Sequence, residues 1–162
     1  MYSPPYTSIR RPSPAGEVVA VDPSAPRVLV VEDSDALRAS AVRTLTARGY
    51  AVTEACHGQQ ALQMIDRATE PFDVVVTDVS MPVMSGYKLG RRLAQCCPGL
   101  PVVYASSAPS EALVRCGMPP GFAAFLRKPY LPEDLIREVA AAIPADQASR
   151  HSASDAQTSS RP

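Results

Sequence analysis

The stretch RVLVVEDSDALR (27–38) contains the pattern that decides the fold. Its first five residues form a short, β-branched apolar run, which is typical of a strand buried on both faces. Glu32 and Asp33 follow this run directly, and either Asp33 or Ser34 can cap the helix that comes next. The stretch therefore predicts a buried strand, an acidic turn and a helix, in that order.

The same order repeats along the chain. Helical spacing places Leu37, Ala41 and Leu45 on one inward stripe, and Gly49 is suited to end that helix. Further strands are predicted over 51–55, 73–78, 101–106 and 121–127, and further helices over 58–68, 87–96 and 131–143. The inward residues of the first and last of these helices are Ala61, Leu62, Ile65, Leu135, Ile136, Val139 and Ile143. Such alternation predicts right-handed βαβ units and a parallel sheet with helices on both faces.

The weakest part of the pattern lies between the last two strands. Segment 108–120 has room for a helix of only about two turns, because Gly117, Pro119 and Pro120 stop it.

Composition limits the chain to one domain with flanking tails. The 162 residues include 16 basic and 16 acidic side chains, and a neutral net charge argues against a nucleic-acid partner. Proline-rich residues 1–26 and the small, polar residues 144–162 predict disordered tails around a domain at 27–143. No apolar run has the length of a membrane span or a signal peptide, and the four cysteines form no CxxC pair. We therefore expect a cytoplasmic protein with reduced thiols and no membrane partner.

Polar side chains follow four of the five predicted strands at one edge of the sheet. Glu32 and Asp33 follow the first strand, Asp78 ends the third, Ser106 ends the fourth and Lys128 follows the fifth. Open α/β sheets bind ligands at this edge. Three converging carboxylates repel one another unless a cation lies among them or one takes up a proton. Oxygen ligands without histidine or thiolate suit Mg²⁺, and the hydroxyl and ammonium suit a tetrahedral anion.

Four segments, VLVVEDSDALR, VVVTDVSMPVMSG, VVYASS and FLRKPYLPEDL, together resemble the receiver domain of bacterial two-component response regulators. The acidic pair, the acceptor aspartate, the hydroxyl and the KP pair occur in the order and at the separations of receivers. The resemblance covers 27–143 and implies a flavodoxin-like (βα)5 fold, a doubly wound parallel sheet with strand order 2-1-3-4-5. Segment 102–135 looks more like the receivers fused to hybrid histidine kinases than like those of DNA-binding regulators.

The resemblance also implies chemical roles for the site residues. Asp78 would be the phosphoacceptor, taking a phosphoryl group from the phosphohistidine of a histidine kinase or a histidine phosphotransfer protein. Glu32, Asp33, Asp78 and the backbone carbonyl of Ser80 would hold Mg²⁺, which brings the two anionic reactants together. Lys128 would pair with a phosphoryl oxygen.

The switch and the partner face are implied in the same way. Ser106 would move towards the phosphoryl group and draw Phe125 inward, so that phosphorylation shifts a conformational population. The face that meets the kinase or phosphotransfer helix would consist of Ser34, Ala36, Leu37, Ser40, Pro129 and Tyr130.

These implications make the chain a single-domain response regulator or phosphorelay receiver, not an enzyme that turns over a separate substrate. Two alternatives keep the family: a receiver module of a hybrid histidine kinase system, and a pseudo-receiver that binds partners without phosphorylation. An aspartyl phosphatase of haloacid-dehalogenase type would need a second aspartate where Ser80 stands. A flavodoxin-type flavin protein would need a hydroxyl- and glycine-rich loop after the first strand, where the sequence reads EDSDA.

Overall fold

A computed structural model describes residues 24–108 and 122–145, in which five strands and four helices follow one another. The strands are β1 Arg27–Val31, β2 Ala51–Ala55, β3 Val74–Asp78, β4 Val102–Ser106 and β5 Phe122–Arg127. The helices are α1 Asp35–Thr46, α2 Gly58–Arg67, α3 Gly86–Cys96 and α4 Pro132–Ala142. Every strand matches its predicted range to within one residue at each end. The same holds for α2, α3 and α4, the helices for which the sequence predicted both a first and a last residue.

Parts of the prediction lie outside the described residues. Nearly all of the predicted N-terminal tail falls in residues 1–23, and nearly all of the C-terminal tail in 146–162. The short helix expected within 108–120 falls almost wholly in residues 109–121. The boundaries of the domain at 27–143 stay a prediction. Among the described residues, no helix is long and apolar enough to cross a bilayer.

All strand pairs are parallel, and the strand order is β2-β1-β3-β4-β5, which confirms the flavodoxin-like topology. The apolar run of β1 is buried on both faces: Val28 and Val30 contribute to one core, and Leu29 and Val31 to the other. Helices α1 and α4 cover the first core, and α2 and α3 cover the second. Because β1, β3, β4 and β5 are consecutive neighbours, the residues at their carboxyl ends form one row along the edge of the sheet.

Leu37 is the most exposed of the residues predicted to face the core, and Leu62, Ile65, Ile136 and Ile143 are half-buried. Leu37 is 47 % exposed, whereas Ala41 and Leu45 of the same stripe are buried. Leu37 lies in the first turn of α1, one turn before the buried Ala41. Ile136 in α4 is only half-buried, because it lies a third of a turn round the helix from the fully buried Leu135.

The predicted helix ends have clear local causes. Ser34 caps α1, accepting a hydrogen bond from the Leu37 N–H through its Oγ at 3.5 Å. Beyond α1, Gly49 has a φ of 87° and donates its N–H to the Thr46 carbonyl at 2.9 Å. Only a residue without a Cβ adopts this conformation freely, which confirms the glycine stop.

Candidate functional site

The three acidic residues predicted to converge do so at the carboxyl edge of the sheet. Glu32, Asp33 and Asp78 each contribute a carboxylate oxygen to a cluster in which these oxygens lie within 4.8 Å of one another. Strand pairing explains the approach, since Val31 of β1 lies opposite Thr77 of β3. Glu32 is buried, Asp78 is half-buried and Asp33 is exposed.

Lys128 joins the cluster from the loop after β5. Its Nζ lies 2.6 Å from Oε2 of Glu32 and 3.3 Å from Oδ1 of Asp78, and all three side chains are at most 13 % exposed. Burial of the ammonium lowers the pKa of Lys128, but the hydrogen bond to Glu32 and the charges of Asp78 and Glu32 outweigh burial and raise it overall. The ammonium stays charged and compensates two carboxylates. The sequence placed Lys128 in the site but did not predict its pairing with Glu32.

A second cation, Arg38, was missed by the sequence analysis. Its Nη1 donates to the backbone carbonyl of Glu32 at 2.8 Å, its Nε to Glu54 at 3.3 Å and its Nη2 to Asp35 at 2.5 Å. The spacing of Asp35 and Arg38, three residues apart on one helix, was the only signal in the sequence. The contacts with Glu32 and Glu54 join α1 to the ends of β1 and β2, so they depend on the tertiary fold.

The loop after Asp78 packs tightly against the start of α3. The Gly86 N–H donates to the Val79 carbonyl at 3.1 Å, and a Cβ on Gly86 would overlap the carbonyl oxygen of Asp78. In the same loop Val83 has a φ of 64°, a strained conformation for a β-branched residue. Ser80, whose carbonyl was expected to bind a metal, lies exposed in this loop.

Comparison with known proteins decides the family. The sequence model of the family described as "Response regulator receiver domain" matches residues 28–140. The chain belongs to this receiver family. It resembles the response regulator receiver protein CpdR of Brucella abortus, with 33% identity over 113 residues that cover 70% of this chain and 92% of CpdR.

Two further relatives differ in how much of their length the receiver covers. The sensor kinase CckA of Brucella abortus is 39% identical over 103 residues, which are 64% of this chain but only 11% of CckA. The crystal structure of the chemotaxis response regulator CheY4 of Vibrio cholerae has 30% identity and a TM-score of 0.67, over 74% of this chain and 99% of CheY4. Receivers are signalling modules of two-component systems associated with histidine kinases, not enzymes with a separate substrate.

The acidic cluster of this receiver fits a divalent cation, and receivers typically bind Mg²⁺. The cluster offers oxygen donors, which are the ligands that Mg²⁺ prefers. Three carboxylates and the ammonium of Lys128 leave a formal charge of minus two, which one divalent cation would neutralise. The residues present could therefore hold the ion without further charge compensation.

The two residues expected to form the switch lie on neighbouring strands of the receiver. Ser106 is 2 % exposed, and its Oγ accepts a hydrogen bond from the Ala108 N–H at 3.1 Å. Phe125 lies opposite Tyr104 of β4, two register positions from Ser106, and packs against the core under α2 and α3. Since side chains alternate along a strand, Ser106 lies on the same face of the sheet as Tyr104 and Phe125.

The expected partner face of the receiver is mostly open to solvent. Ala36, Leu37 and Ser40 are exposed on α1, and Pro129, which follows a cis peptide bond, is exposed after β5. Ser34 and Tyr130 are half-buried, and Tyr130 packs against the core under α1 and α4. Burial raises the pKa of the Tyr130 phenol, the nearby Lys128 lowers it, and the net direction is upward.

Proposed function

We propose that this receiver accepts a phosphoryl group from a phosphohistidine onto Asp78 in a reaction that depends on Mg²⁺. One observation supports this most strongly: Nζ of Lys128 lies 3.3 Å from Oδ1 of Asp78, inside a carboxylate cluster that could hold a divalent cation. A nucleophile, a cation for the phosphoryl oxygens and a metal site are thus combined at one sheet edge.

The chemistry uses the carboxylate of Asp78 as the nucleophile. A carboxylate oxygen forms a bond to phosphorus while the bond from phosphorus to the histidine nitrogen breaks, and the donor leaves as imidazole. Mg²⁺, held by Glu32, Asp33, Asp78 and the Ser80 carbonyl, would neutralise charge between the two anions. Lys128 would exchange part of its contact with Glu32 for a phosphoryl oxygen, and the Ser34 N–H at 3.3 Å would keep Glu32 in place.

The test is intact mass spectrometry after incubation with acetyl phosphate and Mg²⁺. The parent should gain one phosphoryl group, and chelation of Mg²⁺ should prevent it. Asp78→Asn should gain none, because an amide is not a nucleophile here, whereas the matched variant Asp66→Asn, on the exposed face of α2, should be labelled like the parent. Labelling of Asp78→Asn at the parent's rate would contradict the assignment, and no labelling of the parent would favour a pseudo-receiver.

Signalling by this receiver would use Ser106 and Phe125. The buried hydroxyl of Ser106 can exchange its hydrogen bond from Ala108 for one to the phosphoryl group. The space vacated on β4 would then favour an inward position of Phe125 on the neighbouring strand. The proposed output is a shift between two populations, not a new fold.

Two relatives support different signalling arrangements for this receiver, one as a single-domain regulator and one as part of a relay. The match to 92% of CpdR, a response regulator receiver protein, supports a single-domain response regulator. The match to a small part of CckA supports the second candidate, a receiver that works within a hybrid kinase relay. A relay requires that the phosphoryl group moves on. Loss of the mass adduct when a histidine phosphotransfer protein is added, with gain of the adduct by that protein, distinguishes the two.

A further inference from the structure

We propose that Arg38 is a positioning residue that sets the backbone of Asp33 for cation binding. The proposal rests on the function proposed above, in which Asp33 is a ligand of Mg²⁺. It starts from the three contacts of one guanidinium group, with the carbonyl of Glu32 and the carboxylates of Asp35 and Glu54.

The first contact acts on the peptide unit that carries Asp33. Nη1 of Arg38 donates to the carbonyl of Glu32 at 2.8 Å, and the Glu32 N–H donates to the Ala55 carbonyl at 3.1 Å. Because a peptide unit is planar, holding the Glu32 carbonyl also fixes the N–H of Asp33 and the direction to its Cα. The backbone is therefore tethered on both sides of Glu32, directly before Asp33.

The other two contacts hold the guanidinium itself. Asp35 contributes from the first turn of α1 and Glu54 from the end of β2, and the Arg38 side chain is only 16% exposed. The hydrogen bond to Asp35 raises the pKa of Arg38, and burial opposes this only in part. The three acceptors are bound by three different nitrogens of the planar guanidinium, an arrangement that the ammonium of a lysine cannot reproduce.

The side chain of Asp33 has no comparable support. It is exposed, and in the described part of the chain its carboxylate makes no hydrogen bond or ion pair. Its position relative to Glu32 and Asp78 therefore depends on the backbone, which Arg38 holds. Groups that orient metal ligands from outside typically change metal affinity about 10- to 100-fold when they are removed.

A simple charge effect would have the opposite sign. Arg38 is a cation near a cation site, and its removal would leave Asp35 and Glu54 uncompensated beside that site. On charge alone, a neutral residue at position 38 would strengthen Mg²⁺ binding. Positioning predicts weaker binding, so the direction of the change separates the two effects.

The experiment is isothermal titration of the full chain with Mg²⁺. Arg38→Met should weaken binding about tenfold. The matched control Arg43→Met removes an exposed arginine of the same helix that forms no ion pair among the described residues, and it should bind Mg²⁺ like the parent. Arg38→Lys keeps the charge and should recover only part of the loss, because it lacks the fork.

Unchanged or tighter binding by Arg38→Met would overturn the proposal, and so would full recovery by Arg38→Lys. Should Arg38→Met fail to fold, Glu54→Gln provides a milder variant, because it weakens one anchor of the guanidinium, and it should lower Mg²⁺ affinity several-fold. Unchanged affinity in that variant would then overturn the proposal. Absence of Mg²⁺ binding by the parent would instead contradict the proposed function.

Discussion

Lys128 reduces the electrostatic repulsion among the three carboxylates of the site. Three carboxylates at one sheet edge repel, and two unit charges 4 Å apart interact by about 4 kcal/mol at an effective dielectric of 20. The sequence suggested a bound cation or a protonated acid. The structure adds a third solution, in which an ammonium of raised pKa contacts both Glu32 and Asp78. Part of the repulsion among the carboxylates is therefore offset by a side chain of the protein itself.

The hydroxyl of Ser106 gives a prediction for signalling. Ser106→Ala should still be phosphorylated, because Asp78, Asp33 and Lys128 remain, but it should lose the link to Phe125. A charge-assisted hydrogen bond is worth roughly 1.5 to 3 kcal/mol, which shifts a two-state equilibrium about tenfold to a hundredfold. The measurement is NMR with beryllofluoride, whose BeF₃⁻ group on Asp78 stands in for the phosphoryl group. Identical ligand-induced shifts around Phe125 in parent and variant would show that the signal does not pass through this hydroxyl.

The close approach of α3 to β3 gives a prediction about stability. Gly86→Ala would place a Cβ against the Asp78 carbonyl and the Thr77 Oγ1, so backbone must shift. Overpacking of this kind costs typically 1 to 3 kcal/mol, and a backbone contact should lie at about the upper limit. Urea unfolding measures the loss. Gly99→Ala is the matched control, since a Cβ there meets nothing within 4 Å, and it should change stability by less than about 1 kcal/mol. Equal stability of the two variants would contradict the packing argument.

Helices and strands were predictable where apolar periodicity decides them. A buried face requires apolar side chains at fixed intervals. The run RVLVV of β1 and the stripe of Ala41 and Leu45 show these intervals, and in the structure they contribute to the two cores. Leu37 has the same spacing but is 47 % exposed in the first turn of α1, and periodicity alone cannot show where along a helix the burial begins.

The sequence was sufficient to predict which side chains converge at the site, but not which hydrogen bonds and ion pairs they form there. Parallel strands deliver their carboxyl ends to one edge, so the convergence of Glu32, Asp33 and Asp78 followed from topology. The contacts of Arg38 with Glu32 and Glu54 join three elements, and no spacing in the sequence encodes them. The left-handed conformation of Val83 was equally hidden, because valine is a poor indicator of positive φ.

Titratable groups buried across the domain couple its stability to alkaline pH. Tyr50, Tyr104 and Tyr130 all have a pKa raised mainly by burial, and the pKa of Lys128 is raised by its partners. All four bind their protons more tightly in the folded chain than in the unfolded one. Their contribution is therefore complete below the unfolded pKa, near pH 10, and declines as pH rises through the folded values.

Tyr104 should dominate this decline, because it is only 3 % exposed and burial, together with Tyr87, raises its pKa the furthest. Above about pH 10 the unfolded chain releases the Tyr104 proton while the folded chain keeps it, so each pH unit should cost about 1.4 kcal/mol through this one group. Tyr104→Phe removes the group with little change in shape. Urea unfolding at pH 7, 10.5 and 11.5 should give the variant a slope shallower by about 1.4 kcal/mol per pH unit over the last step, with the pH 7 values as the reference for packing. Equal losses of unfolding free energy in the parent and Tyr104→Phe above pH 10.5 would contradict this prediction, because the phenol would then titrate alike in the folded and unfolded chains. The alkaline sensitivity would in that case arise from Lys128 and the other tyrosines.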